Sequence, residues 1–168
     1  MARNIEIKAR MRDFAGTKAL AESLSDEPAV LLKQQDTFYR VPKGRLKLRA
    51  VEPGGSKLIY YQRSDRAEPR LSEYVTSIVN DPLAMNSLLS SALGITGQVR
   101  KERWLCLVGQ TRIHLDRVEG LGDFLELEYV LQEGEEEANG LKVVRDLAAR
   151  LGIKDGDVVA GAYADLLQ

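Results

Sequence analysis

With 168 residues, 44% of them hydrophobic and 29% charged, the chain is long enough to bury one sizeable core and is expected to form a single domain over 1–168. Its 24 basic and 25 acidic residues nearly cancel, which excludes the global basic field of a general nucleic-acid binder. One cysteine, Cys106, excludes an intrachain disulfide and a thiolate zinc site, and no apolar run has signal-peptide or membrane-span character, so a cytoplasmic protein is expected.

In chain order, "RNIEIKARM" alternates with the strand period of two, Asn4, Glu6, Lys8 and Arg10 on one face and Ile5, Ile7, Ala9 and Met11 on the other. Asp13 then caps a predicted helix through Leu24, with Phe14, Thr17, Ala21 and Leu24 along one side. Strands follow at "KQQDTFYRV", "GRLKLRAVE", "KLIYYQRS" and "RLSEYVTSIV", the first three joined by the hairpin-type links "PKG" and "EPGGS". Asp81 and Pro82 open a second helix that Gly94 closes. "QVRKERWLCLV", "TRIHLDRV" and "DFLELEYVL" are the last strands, linked by "GQ" and "EGLG". A third helix is expected from about Glu135 to Leu151, burying Leu141, Val144, Leu147 and Leu151, and "DGDVVAGAYADLLQ" adds a short terminal one. Links this short make the strand pairs antiparallel, because a parallel crossover needs about a dozen residues or more.

The alternation sorts charge by strand. Arg45, Lys47 and Arg49 oppose Leu46, Leu48 and Ala50; Lys57 and Arg63 share a side with Ile59 and Tyr61; Lys101 and Arg103 lie beside Val99 and Leu105. Arg112, His114 and Asp116 share a face in the seventh strand, and Glu126 and Glu128 in the eighth. Any one such strand is most simply the solvent side of an antiparallel sheet. Repeated, with cations on some strands and carboxylates on others, the pattern departs from the mixed signs of a solvated surface. It suits a cavity for a metal and a polyphosphate. Eight strands suffice to close a barrel around a small ligand, and the apolar face then lies outside under the amphipathic helices. The expected fold is therefore α+β, a closed antiparallel eight-stranded β-barrel with a charged interior. Outer-membrane barrels share the polar-inside pattern, but helices of soluble type and the lack of an export signal argue against one.

"NIEIKAR", "GRLKLR", "LIYYQR", "VRKER", "RIHLDRVEGLGDFLELE" and "GAYADLL" together resemble the CYTH family, the triphosphate tunnel metalloenzymes, over nearly the whole chain. That resemblance implies a tunnel of about eight antiparallel strands acting on a small-molecule triphosphate with Mg2+ or Mn2+, without nucleic-acid or membrane partners, and it allows a homodimer. It implies that Glu126 and Glu128 bind the metal, with Glu6 and Asp116 as further acidic groups there. Lys8, Lys47, Arg49, Lys101 and Arg103 match positions that grip the triphosphate, joined by Arg45, Lys57 and Arg63. Glu6, Lys8 and Asp116 are the expected catalytic set. Asn4 departs from the family's Glu-x-Glu-x-Lys motif, and Tyr61 or Arg63 stands where many members carry a lysine. His114 reads as a hydrogen-bonded strand histidine rather than a base. The implied reaction is that of a class IV adenylyl cyclase, ATP to cyclic AMP and pyrophosphate. The alternative is a triphosphatase acting on tripolyphosphate, thiamine triphosphate or a nucleoside triphosphate. A non-enzymatic module that binds polyphosphate, nucleotide or RNA, with Tyr39, Tyr60 and Tyr61 stacking bases, is a further alternative.

Overall fold

A computed structural model describes all 168 residues. Strands β1 (Ala2–Arg10), β2 (Val30–Tyr39), β3 (Arg45–Glu52), β4 (Ser56–Arg63), β5 (Arg70–Val79), β6 (Ile95–Val108), β7 (Thr111–Val118) and β8 (Gly122–Leu131) close an antiparallel barrel in the order β1-β5-β4-β3-β2-β6-β7-β8. The helices are α1 (Phe14–Leu24), α2 (Pro82–Leu93), α3 (Glu137–Arg150) and the short α4 (Tyr163–Leu166). No helix is long and apolar enough to cross a membrane.

The alternation holds because the barrel is inverted relative to a solvated sheet: its apolar face is the one the helices need. Ile5, Ile7, Ile113, Leu115, Leu125 and Leu127 form one core with Val144, Leu147 and Ala148 of α3 and Ala21 of α1. Gly140 lets α3 approach β1, since a Cβ there would sit 2.6 Å from Ile5 Cγ1. Tyr39, Leu48 and Val79 pack with Met85, Leu89 and Leu93 of α2, and the Tyr39 hydroxyl donates to Asn86 at 2.6 Å. Both expected N-caps form, Asp13 accepting from the Gly16 amide and Asp81 from the Ala84 amide, each at 3.0 Å. Gly94, at φ 78°, ends α2 as the sequence predicts.

Boundaries differ in places. β2 begins three residues before Lys33 and stops at Tyr39, where its register against β6 shifts between Phe38 and Tyr39. β6 begins at Ile95 rather than Gln98, and α3 begins at Glu137 rather than Glu135. The terminal helix has a role that its composition does not announce. Tyr163 and Ala164 pack inside the barrel rim on Phe38, Val99, Val118 and Phe124, so the tail stoppers one end of the tunnel.

Candidate active site

Cross-strand register sets the site. Lys8 and His114 both stand opposite Glu126, Glu6 and Arg112 both stand opposite Glu128, and Arg103 stands opposite Asp116. Inward side chains from all the strands, with Ala162 and Tyr163 from the tail, line a cavity of about 450 Å3. That volume lies within the usual range of small-molecule sites.

The charges inside are paired into clusters. Asp36 accepts from Arg49 through both oxygens at 2.7 Å and from Lys47 at 3.0 Å, and Lys101 Nζ lies 3.6 Å away. Asp116 accepts from Arg103 through both oxygens at 2.7 Å and from the Tyr163 hydroxyl at 2.7 Å. Glu126 lies 3.4 Å from Lys8 Nζ, 3.1 Å from His114 Nδ1 and 3.7 Å from Arg103 Nη2. Glu128 accepts from Arg112 Nε and Nη2 at 3.0 and 2.8 Å. Glu6 accepts from Arg63 and has Arg70 Nε at 3.8 Å. Asn4, its amide turned so that both ends are satisfied, accepts from Arg112 at 3.2 Å.

Burial opposes the charged forms of Asp36, Asp116, Glu126, Glu6 and the lysines, and the partners prevail at the first three. Burial opposes ionisation of Asp36, yet Arg49, Lys47 and Lys101 hold its carboxyl well below the usual carboxylate range. Asp116 is likewise opposed by burial but drawn down to about 2 by Arg103. Glu126 is held well below the usual range, against burial, by Lys8 and by the His114 hydrogen bond. Glu6 goes the other way: burial lifts it, the pull of Arg63 opposes, and the like charges of Glu126 and Glu128 add to the rise. Burial and then Arg49 bring Lys47 down to about 8, and burial lowers Lys8 and Lys101. His114 is pushed below its ordinary 6.5 by burial and by Arg103, both of which favour the neutral imidazole.

A closed barrel with cations on β3, β4 and β6 facing carboxylates on β1 and β8 is a specific arrangement. The CYTH domain profile matches residues 2–163. The chain belongs to the CYTH family. An adenylate cyclase, CyaB, from Aeromonas hydrophila is 26% identical over 177 residues, covering 98% of this chain and 88% of that protein. The PH1012 protein of Pyrococcus horikoshii is 29% identical with a TM-score of 0.86, over 98% of this chain and 99% of that one. A Hippeastrum protein, named for adenylyl cyclase yet described as having a dominant triphosphatase activity, shares the fold at 16% identity and TM-score 0.65, over 96% of this chain and 91% of that one. CYTH proteins are typically metal-dependent enzymes acting on triphosphates.

Within this CYTH tunnel the sequence-predicted residues separate into groups. Glu6, Lys8, Lys47, Arg49, Lys57, Arg63, Lys101, Arg103, Glu126 and Glu128 all line the cavity, Lys57 as an exposed residue at its edge. Arg45 and Asp116 do not. Arg45 pairs outside with Asp165 and, at 3.4 Å, with Asp65, tying the tail to the β4–β5 loop. Asp116 is fully buried, its oxygens taken by Arg103 and Tyr163, so it positions those groups rather than meeting a ligand. Sequence reading left Asp36, Arg70, Arg112 and Tyr163 without roles. Tyr39 faces α2, Tyr60 hydrogen-bonds the Lys43 carbonyl at 3.1 Å, and only Tyr61 of the three tyrosines reaches the cavity, so they form no common stacking surface.

The acidic end fits a divalent cation. One ligand atom from each of His114, Glu126 and Glu128 can be chosen so that all lie within 4.8 Å of one another. Carboxylates with room for waters and phosphate oxygens are the donor set that a magnesium-type ion accepts.

Proposed function

We propose that this chain binds a triphosphate along the tunnel with a divalent cation at the acidic end, and that its reaction is cyclisation of ATP to cyclic AMP and pyrophosphate. The observation that carries the reading is the enclosure of opposed walls, Lys47, Arg49, Lys101 and Arg103 on one side and Glu6, Glu126 and Glu128 on the other, in one closed barrel. Asp36 and Asp116 hold the cations in place before any phosphate arrives, so little reorganisation accompanies binding. Arginine serves as a planar fork and lysine as a point charge toward the phosphates. The low dielectric of the tunnel strengthens each contact as negative charge spreads in the transition state. A bound Mg2+ or Mn2+ supplies further neutralisation of charge on the phosphate oxygens. No protein nucleophile is required; in-line attack by the ribose 3′-hydroxyl on the α-phosphate follows from positioning. The name of the Aeromonas relative favours cyclisation.

Hydrolysis is the second reading. It is favoured by Asn4, which removes a negative charge from the metal end, and by the activity described for the Hippeastrum protein. Purified protein is incubated with ATP, thiamine triphosphate and tripolyphosphate, each with magnesium or manganese, and the products are identified. Cyclic AMP with pyrophosphate is expected; orthophosphate alone overturns cyclisation in favour of hydrolysis. Tight binding without turnover on any substrate leaves only a binding module. Glu126→Gln and Glu128→Gln are expected to abolish metal-dependent turnover with unchanged circular dichroism. Wild-type rates in both variants would overturn the metal assignment.

A further inference from the structure

His114 is 4% exposed, lines the cavity among the carboxylates, and has no part in the phosphate contacts above. Its Nδ1 lies 3.1 Å from Glu126 Oε1. An ionised carboxylate only accepts, so the proton is assigned to Nδ1, and Nε2 presents a lone pair. Nε2 makes no hydrogen bond; the Glu128 carboxylate faces it with Oε2 at 4.0 Å, beyond hydrogen-bond range. The Nε2 lone pair and the Glu128 carboxylate therefore face each other with no hydrogen bond between them.

A cation bridges the two. Metal-bound imidazoles almost always donate their other ring N–H to a carboxylate or carbonyl, which fixes the tautomer and raises the basicity of the ligating nitrogen. Glu126 makes that contact here. Two metal–ligand bonds of roughly 2.0–2.2 Å each span a separation of this size. Arg112 donates twice to Glu128 Oε2, the atom at 4.0 Å, so the ion is shared through that carboxylate's other oxygen; a ligand atom of Glu128 lies within 4.8 Å of those of His114 and Glu126. Lys8, at 3.4 Å from Glu126 Oε2, keeps that residue from turning away from the imidazole.

We propose that His114 is a metal ligand through Nε2, sharing a divalent cation with Glu128, while Glu126 orients the imidazole through Oε1. The inference deepens the proposed function and rests on the divalent cation assigned there. It carries a consequence for metal identity. Magnesium prefers oxygen donors, whereas imidazole nitrogen favours the transition-metal ions, so the site discriminates toward manganese and cobalt over magnesium.

The chain contains one histidine, so labelling untagged protein with 15N-histidine reports on His114 alone. Mn2+ is added to the full chain without nucleotide and the sample is examined by electron spin echo envelope modulation. Modulation from 14N is expected in unlabelled protein, replaced by the 15N pattern on labelling and lost in His114→Gln. Bound Mn2+ without imidazole modulation overturns the ligand assignment and leaves the metal itself in place. Failure of Mn2+ to bind overturns both this inference and the metal of the proposed function. By calorimetry, His114→Gln is expected to raise the Mn2+ dissociation constant about tenfold or more while changing that for Mg2+ by less than about threefold. An equal loss for both ions overturns the selectivity.

Discussion

Asp36, with 2% of its surface exposed, grips Arg49 through both oxygens while Lys47 and Lys101 converge on the same group. On the proposed function, it gives the cation wall the partner that a bound phosphate would supply. Asp36→Asn leaves buried cations uncompensated and is expected to cost about 3 kcal/mol in denaturant unfolding. Tripolyphosphate should restore part of that loss, raising the melting temperature of the variant more than that of the wild type. Equal shifts would mean that the carboxylate and the phosphate do not share these cations. Lys47, brought down to about 8 by burial and Arg49, adds a pH dependence. Above pH 8 its ammonium loses charge, so the substrate KM should rise through that region, and Lys47→Arg should flatten the rise. Asp36 was hard to read because both faces of "KQQDTFYRV" carry polar residues: Gln34 and Asp36 point inward, yet Lys33 and Gln35 oppose them. Arg45 and Asp116 had the correct parity, but depth along a tilted barrel is set by the stagger of the strands, which period-two reasoning does not contain.

At the scale of elements, the tail from Gly161 to Leu166 does more than finish the chain. The Gly161 carbonyl accepts from Arg63 at 2.9 Å and from Lys8 at 3.4 Å. The Tyr163 ring lies 4.0 Å from Lys8 Nζ and packs edge-on to Phe124 at 5.0 Å. Tyr163→Phe keeps this packing and removes only the hydroxyl that donates to buried Asp116. It is expected to destabilise the protein by about 1–3 kcal/mol, read as a lower urea midpoint with an unchanged slope. An unchanged midpoint would show that Asp116 does not need the tail. "GAYADLL" could be read as a short helix but not as a stopper, because its partners Phe38, Val99, Val118 and Phe124 come from distant strands. The hairpin links and helix caps, by contrast, are local chemistry, and they were legible.

Across the whole molecule three buried carboxylates share one behaviour and a fourth departs from it. Asp36, Asp116 and Glu126 all sit below the usual carboxylate range in the folded state, while Glu6 is raised from its ordinary value. A lowered pKa contributes stability that is fully present above the unfolded value and is lost as pH falls through the folded one. For Asp116 that window runs from the ordinary 3.8 down to about 2 and carries about 2 kcal/mol. Stability should therefore fall steeply between pH 4 and pH 2, and Asp116→Asn should be less stable at neutral pH with a shallower fall across that window. An identical acid profile would remove Asp116 from the account.

The tail that stoppers the barrel also decides the traffic through it. With Tyr163 and Ala164 wedged against Phe38, Val99, Val118 and Phe124, the passage is blind at that end, and whatever enters must back out by the same mouth. On the proposed function, pyrophosphate or phosphate released against the cation wall would stand in the path of the next triphosphate. Such a polyanion would compete with incoming substrate for one berth, and the pace of turnover would then depend on how readily the products clear the doorway.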